Sequence, residues 1–230
     1  MRDPLVLAVA QPPCVARDVA ANALAHAEAV RSARARVVVF PELSLTGYEL
    51  AAPAIEAADP RLEPLVTACA ATGSLALVGA PLAGDHIAML AVDGSGVTVA
   101  YRKMWLGSSE SARFSPGDKP AVIEVDGWRF GLAICKDVAV PQHQSDTAAL
   151  RIDGYLAGTV KFDYEAQEQS ERAARLAAQH GMWVAIASHA GPTGDGYTAT
   201  AARSGIWDPQ GNSVAQAGPE IGALARATLT

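Results

Sequence analysis

Short apolar runs of strand length recur along the chain and alternate with alanine-rich amphipathic stretches. The clearest runs cover residues 5–10, 36–40, 75–80, 87–92 and 98–101. Runs of this length predict strands, and the amphipathic stretches between them predict helices. The alternation therefore indicates an α/β fold.

The strongest helix signal begins near Asp59, whose side chain can cap free backbone amides, with Pro60 in the first turn. One apolar face of this predicted helix carries Leu62, Leu65, Val66 and Cys69. Gly73 is placed to end the helix. A second helix is predicted from about residue 165 to residue 179, with Gly181 positioned to stop it.

Two hairpins are predicted from turn residues between apolar runs. Asp126 and Gly127 separate two such runs between residues 121 and 135, and this pair fits a tight hairpin turn. A second hairpin is predicted around residues 209–212. Hairpins combined with strand-helix alternation predict mixed sheets covered by helices, rather than one purely parallel sheet.

Length and composition favour one large domain over residues 1–230. The chain is 50% hydrophobic, which is enough to bury a full core, and it contains no long linker, low-complexity segment or internal repeat. Its formal net charge of -6 and the absence of a Lys or Arg run argue against a nucleic-acid partner.

The first apolar run, at residues 5–10, resembles part of a secretion signal. It is shorter than an ordinary signal core and follows Asp3 and Pro4 instead of a basic segment, so we interpret it as a first buried strand. No other segment approaches the roughly 18 apolar residues of a membrane span. Three cysteines without close-spaced pairs argue for a reducing compartment and against a disulfide or zinc framework. A soluble cytoplasmic protein is the expectation.

Three reactive side chains, Glu42, Lys103 and Cys135, stand just past the ends of predicted strands. The carboxyl ends of strands are where α/β folds gather their sites. Each residue alone has an ordinary explanation, either as a buried thiol or as a solvated surface group. Their sequence contexts change that interpretation.

Glu42 lies in the segment VVVFPELSLTGY at residues 37–48, where it follows a rigid proline between apolar neighbours. Lys103 lies in YRKMWL at residues 101–106, and Cys135 in GLAICKDVAVP at residues 131–141. These segments, in this order, resemble the nitrilase superfamily, which places a glutamate in Phe-Pro-Glu, a lysine after Tyr-Arg and a cysteine after Gly-x-x-Ile.

The resemblance extends over nearly the whole chain and implies a fold. Gln11 and Asn22 match the family's opening, RFSPG at residues 113–117 looks like its segment before a hairpin, and SGIWDPQG at residues 204–211 is similar to its closing hairpin. By this likeness the fold is a single nitrilase-like α-β-β-α four-layer sandwich, paired with a second copy as a homodimer or higher homo-oligomer.

The three residue types suit amide hydrolysis. An amide needs a thiolate as attacking group, and a free cysteine is mostly protonated at neutral pH, so Glu42 is expected to take the Cys135 proton. Lys103 is expected to stabilise the negative charge on the carbonyl oxygen, with the backbone amide of Lys136 as a second donor. A Cys135 thioester then forms and is hydrolysed. This cycle needs neither metal nor cofactor.

Further pocket residues follow from the same likeness. Glu110 matches a second glutamate near the lysine, which would orient Lys103 or substrate; a solvated loop acid is the alternative. Trp105 stands where the family often has His, and Lys136 where it often has an aromatic residue. A pocket wall is expected from the segment after the next strand, at Thr159, Val160 and Phe162.

Asp137 completes a Cys-x-Asp pattern, which resembles amidases more than the Cys-Trp-Glu of nitrile-cleaving members, and we expect it to be a structural acceptor. Gln142 replaces a typical glutamate after Pro141. The expected substrate is a small amide or an N-carbamoyl compound, with hydrolysis, nitrile cleavage and acyl transfer to another acceptor left open.

Two other functions fit parts of the sequence. A nitrilase-like scaffold could bind a small ligand without turnover, since the neighbours of Cys135 are altered. A phosphate-binding module is suggested by GPTGDG at residues 191–196, although no Gly-Lys-Ser/Thr ending or helix follows. The five histidines show no metal-ligand spacing, and we expect surface or helix-end roles for them, with a substrate contact of His143 as a remote alternative.

Overall fold

The computed structural model describes residues 2–230, so Met1 lies outside it. Over these residues the strands are β1 Leu5–Ala10, β2 Val37–Val39, β3 Leu75–Leu82, β4 His86–Asp93, β5 Gly96–Arg102, β6 Val122–Val125, β7 Trp128–Ile134, β8 Gly154–Thr159, β9 Trp183–Ser188, β10 Gly205–Trp207, β11 Ser213–Gln216 and β12 Leu224–Leu229. The α-helices are α1 Val19–Ala33, α2 Glu63–Thr72, α3 Pro141–Ala148 and α4 Ala166–His180.

The strands form two six-stranded mixed sheets. The first has the order β12-β1-β2-β3-β4-β5, and the second has the order β11-β10-β9-β8-β7-β6. The central neighbours β1, β2 and β3 run parallel, as do β7, β8 and β9, while the outer strands pair antiparallel. This pattern confirms the prediction of mixed sheets.

The two sheets pack face to face, with helices outside them. Along β1, Leu5, Leu7 and Val9 join the core between the sheets, whereas Ala8 and Ala10 face the core formed with α1 and α2. This alternation is what a strand buried on both faces requires. The second sheet packs its outer face against α4. The α-β-β-α four-layer sandwich implied by the resemblance is therefore confirmed.

Most local signals hold, with shifted boundaries. Asp59 caps a short 3₁₀ turn, Pro60–Leu62, that leads into α2, and Gly73 ends α2 in the left-handed conformation. The hairpin at Asp126 and Gly127 joins β6 to β7, with positive φ at both residues, as the tight turn demands. Gly181 likewise ends α4.

One expectation about chain segments is wrong: Thr159 was expected to follow a strand, but it is the last residue of β8. Helix α3 was not predicted, because its residues are polar and form no apolar face. Pro141 occupies the first turn of α3, where its missing N–H costs nothing.

Candidate active site

Glu42 sits on a turn that follows β2 and passes between the two sheets. Glycines from both sheets lie against this turn: a Cβ on Gly79 would come within 2.2 Å of the Leu43 nitrogen, and one on Gly158 within 2.6 Å of the Phe40 carbonyl oxygen. His189 donates from Nε2 to the Glu42 backbone oxygen at 2.7 Å. Backbone packing and the His189 imidazole therefore fix the position of the Glu42 backbone, from which the carboxylate side chain extends.

Cys135 opens a 3₁₀ turn, Cys135–Ala139, at the end of β7. Its φ is +46°, a left-handed conformation that costs free energy for a residue with a Cβ. The thiol lies 3.3 Å from the Val160 carbonyl oxygen, and the residue as a whole is partly exposed. A sharp strand-to-turn transition thus presents the sulfur at the edge of the second sheet, beside a surface opening.

Lys103 follows β5 and is 1% exposed. Its ammonium lies 2.6 Å from Glu42 Oε1, 2.6 Å from Glu110 Oε1 and 2.8 Å from Glu110 Oε2. Tyr48 donates its hydroxyl to Glu110 Oε1 at 2.7 Å, and the Gly107 amide donates to Glu110 Oε2 at 2.6 Å. We call Glu42, Lys103, Glu110 and Tyr48 the Lys103 cluster.

The two carboxylates of the Lys103 cluster, Glu42 and Glu110, differ in their hydrogen bonds and in the direction of their pKa shifts. Glu110 receives four hydrogen bonds, and although burial alone would raise its pKa, the Lys103 charge and these donors lower it. Glu42 Oε2 receives no hydrogen bond from the described residues, and burial raises the pKa of Glu42 to about 8. Glu42 is therefore the carboxylate with capacity to accept a proton.

Charges around Cys135 act on its thiol in both directions. Burial raises the thiol pKa to about 12, and the Glu42 charge adds to this, whereas Lys103 and Lys161 oppose it. For Lys103, burial alone would lower the pKa, but the charges of Glu42, Cys135 and Glu110 outweigh it and raise the pKa. The resting site therefore holds an ammonium beside a protonated thiol.

A second buried polar group, which we call the Asp137 cluster, comprises Asp137, Tyr101, His143 and Tyr155. Asp137 accepts the Tyr101 hydroxyl at 2.8 Å and the backbone amides of Ile134 and Trp105 at 2.9 Å each. Tyr101 donates its only hydroxyl proton to Asp137. His143 Nε2 must therefore donate to the Tyr101 oxygen, and His143 Nδ1 accepts the Tyr155 hydroxyl. Asp137 thereby connects Trp105, which follows Lys103, to Ile134, which precedes Cys135.

The Asp137 cluster settles two expectations. Asp137 is a structural acceptor, as the sequence predicted. His143 does not contact substrate, since it is 0% exposed and both ring nitrogens are bonded within the cluster. The expected surface or helix-end roles are wrong for His26 and His189 as well, because both side chains are buried and hydrogen-bonded.

The remaining predicted site residues occupy different positions. Val160 contributes its carbonyl to the thiol, and buried Thr159 donates its hydroxyl to Gln169 at 2.9 Å. Phe162 stacks on Tyr197 with ring centroids 4.3 Å apart. The Trp105 ring packs edge-on against His143, which gives it a supporting position, and its contact with substrate stays a prediction.

The Lys136 side chain bonds to a residue outside the Lys103 cluster. Its ammonium donates to the Leu106 carbonyl at 2.7 Å, and the residue is exposed. A role of its backbone amide as an oxyanion donor stays a prediction. The loop at residues 191–196 is held by side chains: Thr193 accepts the Tyr48 amide, and Asp195 accepts the Leu50 amide.

Sequence reasoning missed three residues of this region. Tyr48 was present in the quoted Glu42 segment, six residues after the glutamate, but was not assigned a role. The Tyr197 ring packs against Phe162 and Tyr48, with ring centroids 4.3 Å and 5.2 Å apart. Lys161 borders the same pocket as Cys135. For the last two no local signal exists, because only the fold brings them near the thiol.

Within residues 2–230, no three His, Cys, Asp or Glu side chains are arranged to hold a metal ion. The same part of the chain contains no helix with the length and apolar character needed to cross a bilayer.

The family model and the related proteins that match this chain all indicate a hydrolase. The family model described as carbon-nitrogen hydrolase matches residues 6–230. A protein of Pseudomonas protegens named as a hydrolase in the pqqF 5′ region is 30% identical over 217 residues, 87% of this chain and 74% of that protein. An (R)-stereoselective amidase of a Pseudomonas species is 26% identical over 189 residues, 79% of this chain and 69% of that enzyme.

Solved structures of an amidase from Nesterenkonia sp. AN1, described as a nitrilase-superfamily member, have the same fold. A cysteine-to-alanine mutant in complex with butyramide superposes with a TM-score of 0.86 at 24% identity, over 98% of this chain and 90% of that chain. A glutamate-to-glutamine mutant of the same amidase, which carries the acetamide moiety of fluoroacetamide on its active-site cysteine, superposes with a TM-score of 0.84.

Proposed function

Because the chain belongs to the carbon-nitrogen hydrolase family, we propose that its 1–230 domain hydrolyses small amides through a thioester on Cys135. One observation carries the proposal. Just past the ends of β2, β5 and β7, a buried carboxylate with an unpaired oxygen is paired with an ammonium, and the Cys135 thiol lies close enough for its charge to interact with both. In this combination, a base, a cation and a nucleophile are all present.

Acylation begins at Glu42. Its free Oε2 accepts the Cys135 proton, and the sulfur attacks the amide carbonyl carbon, which places negative charge on the carbonyl oxygen. Glu42 then returns that proton to the nitrogen, and ammonia or an amine leaves. The acyl group remains on Cys135 as a thioester.

Lys103 is coupled to this proton transfer. In the resting site its ammonium is engaged by Glu42 and by both oxygens of Glu110. When Glu42 becomes a neutral acid, it attracts the ammonium less, and one Lys103 N–H is released toward the new oxyanion. The donor is thus freed at the step that needs it, with the Lys136 backbone amide as the second donor.

Deacylation repeats the same proton path with water. Glu42 takes a proton from water, the hydroxide attacks the thioester carbonyl, and the proton finally returns to the Cys135 sulfur. The substrate class is supported by the butyramide complex of the structurally similar Nesterenkonia amidase and by the related (R)-stereoselective amidase. An N-carbamoyl group presents the same kind of carbonyl and is part of the proposal.

Intact-protein mass spectrometry during turnover tests the mechanism. We expect wild-type protein mixed with butyramide to gain the mass of an acyl group on Cys135 and to release ammonia. Cys135→Ala should keep its fold and lose both signals. Cys69→Ala is the matched control, since this thiol is buried on α2, away from the site. Ammonia release by Cys135→Ala at the wild-type rate would reject the mechanism, and binding without turnover by wild type would favour a non-catalytic scaffold.

A further inference from the structure

Two polar residues interrupt the apolar face that helix α1 buries. The other buried residues of this face are alanine and valine, whereas Asn22 and His26, one turn apart, are 1% and 0% exposed. Burying an amide and an imidazole costs free energy unless their polar atoms are hydrogen-bonded. Both side chains are bonded, and both reach the segment that follows Glu42.

The Asn22 side chain binds only main-chain groups. Its Oδ1 accepts the Val15 amide at 2.7 Å, and its Nδ2 donates to the Val15 oxygen at 2.8 Å and to the Leu45 oxygen at 3.0 Å. Asn22 therefore ties helix α1, and the segment before it, to the end of the turn that carries Glu42.

The hydrogen bonds of His26 have only one consistent arrangement. Its Nδ1 lies 2.6 Å from the Asn22 backbone oxygen, which can only accept, so Nδ1 donates. Burial lowers the pKa of His26 to about 4, so the ring is neutral at neutral pH and Nε2 is an acceptor. The Ser44 hydroxyl, 2.9 Å away, therefore donates to Nε2, while the Ser44 oxygen accepts the Gly79 amide at 3.3 Å.

This chain of hydrogen bonds ends beside a strained residue of the Glu42 turn. Leu43, between Glu42 and Ser44, has a φ of +51°, a left-handed conformation that is unfavourable for a residue with a Cβ. Such a conformation persists only where the surrounding structure fixes the backbone. On one side His189 holds the Glu42 oxygen, and on the other side His26 holds the Ser44 hydroxyl.

We propose that His26 and Ser44 are positioning residues for Glu42, so that helix α1 helps to set the distance between the Glu42 carboxylate and the Cys135 thiol. The proposal rests on the function proposed above, in which Glu42 is the base. Both residues are buried and act through the backbone of Leu43. Without the bond between Ser44 and His26, Leu43 can relax toward negative φ, which moves the Glu42 carboxylate and admits water to it.

Ser44→Ala removes the linking hydroxyl and tests the proposal by kinetics. We expect it to lower kcat for butyramide about tenfold, with KM within about twofold of wild type, because a misplaced base slows proton transfer without altering binding. Wild-type kinetics in Ser44→Ala would overturn the proposal.

Ser74→Ala is the matched control for the loss of a buried hydroxyl. Ser74 is also 1% exposed, and its hydroxyl donates to the Ala35 oxygen at 2.7 Å and accepts from Thr72 at 2.8 Å. It lies just before β3, near the start of β2, whereas Glu42 follows the end of β2. Ser74→Ala should therefore lose stability as Ser44→Ala does and keep the wild-type kcat.

The pH profile separates positioning from a general loss of stability. Burial raises the pKa of Glu42 to about 8, so a turn that admits water should lower that pKa and shift the acid limb of kcat/KM to lower pH in Ser44→Ala. Ser74→Ala should keep the wild-type limb. An unshifted limb in Ser44→Ala would contradict the proposal.

Variants of His26 test the other end of the link. His26→Leu fills similar space without a hydrogen bond and should slow turnover as Ser44→Ala does, whereas His26→Gln keeps an acceptor for the Ser44 hydroxyl and should retain most of the rate. The double variant His26→Leu/Ser44→Ala should be no slower than the slower single variant, since both changes break one link. Effects that multiply would contradict the proposal. If His26→Leu does not fold, the comparison of Ser44→Ala with Ser74→Ala decides.

Alkylation separates this proposal from the proposed function. The rate at which iodoacetamide modifies Cys135, measured by peptide mass spectrometry, depends on proton acceptance by Glu42 but not on amide turnover. It should fall in Ser44→Ala and not in Ser74→Ala. Wild-type amide turnover together with unchanged kinetics and alkylation in Ser44→Ala would reject the positioning role alone. Slower alkylation of Ser44→Ala together with no amide turnover by wild type would reject the hydrolase mechanism alone.

Discussion

The Lys103 cluster and the Asp137 cluster are neighbours, and both are buried, but their hydrogen bonds are completed differently. In the Asp137 cluster, each group donates a hydrogen bond to the next: Tyr155 to His143, His143 to Tyr101, and Tyr101 to Asp137. In the Lys103 cluster, one carboxylate oxygen of Glu42 is left without a donor. A buried unpaired oxygen destabilises a fold, and beside a thiol it is a position that can accept a proton.

The difference gives each cluster its own expected phenotype. Loss of a group from the Lys103 cluster should reduce the rate and leave the fold intact. Loss of a group from the Asp137 cluster should weaken the fold, and it should affect the rate only where it displaces Lys103 or Cys135. The expectations below test this division, from the largest effect to the smallest.

Glu42→Gln should lower kcat/KM for butyramide by about 10³-fold, since the amide cannot accept the thiol proton. Above about pH 8, its melting temperature should equal or exceed that of wild type, because a neutral side chain there replaces a buried and incompletely paired carboxylate. Steady-state kinetics and calorimetry measure both quantities. A fully active Glu42→Gln protein would assign the base to another group.

Glu110→Gln should lower kcat/KM by roughly 10²-fold, because Lys103 loses its better partner and is displaced toward Glu42. The closer ammonium would also lower the pKa of Glu42 and weaken it as a base. Rates measured across a pH series would therefore show both a lower plateau and an acid limb at lower pH. Glu124→Gln, an exposed carboxylate, is the control, and equal behaviour of the two variants would remove Glu110 from the site.

Asp137→Asn should reduce the free energy of unfolding by about 2 kcal/mol, which is typical of a buried acceptor left partly unmatched. The cause is that an amide offers one oxygen to three donors and directs its own N–H groups at a hydroxyl or a backbone amide. Urea denaturation gives the value. An unchanged free energy would show that the Asp137 cluster does not stabilise the fold.

The pH dependence of the rate should follow Glu42. Because its pKa is raised to about 8 by burial, kcat/KM should rise with pH, by roughly tenfold between pH 7 and pH 9, as the base loses its proton. The free energy of unfolding should fall over the range from about 4.5 to about 8, since the folded state binds the extra proton there. Glu42→Gln should lack this fall. An acid limb centred near pH 4.5 would contradict the assignment.

Tyr155→Phe should cost about 1 kcal/mol of unfolding free energy, through loss of its hydroxyl donor to His143, and should leave kcat/KM nearly unchanged. Tyr164→Phe is the comparison variant, because that ring is 78% exposed. Denaturation curves of the two variants should differ by this amount. Coincident curves would place the Tyr155 hydroxyl outside the stabilising network.

The parts of the fold that the sequence predicted well are those whose ends are set by nearby capping or turn residues. Asp59, Gly73 and Gly181 bound helices through capping and left-handed geometry, and Asp126 with Gly127 permits only a tight turn. Helix α3 was missed because its residues are polar and its position depends on the Cys135 turn before it. The four layers followed from family resemblance, since strand order depends on contacts distant in sequence.

The predicted site divides in the same way. Glu42, Lys103 and Cys135 were predicted as site residues from their segments, and their proximity is a property of the fold. Glu110 lies in a loop of variable length, so only the coordinates could distinguish a buried partner of Lys103 from a solvated acid. Lys161 and Tyr197 have no surrounding motif. Pairing with a second copy, a cytoplasmic location and the lack of a nucleic-acid partner stay predictions.

The two glycines against the Glu42 turn have a consequence for how such a protein can diversify. Gly79 and Gly158 set the depth of the Glu42 carboxylate by contact between main chains, one from each sheet. Main-chain contacts do not change when surrounding side chains are exchanged. Substitutions that reshape the cavity wall can accumulate over generations while the Glu42 carboxylate keeps its place, so the proposed chemistry could be retained as the substrate changes.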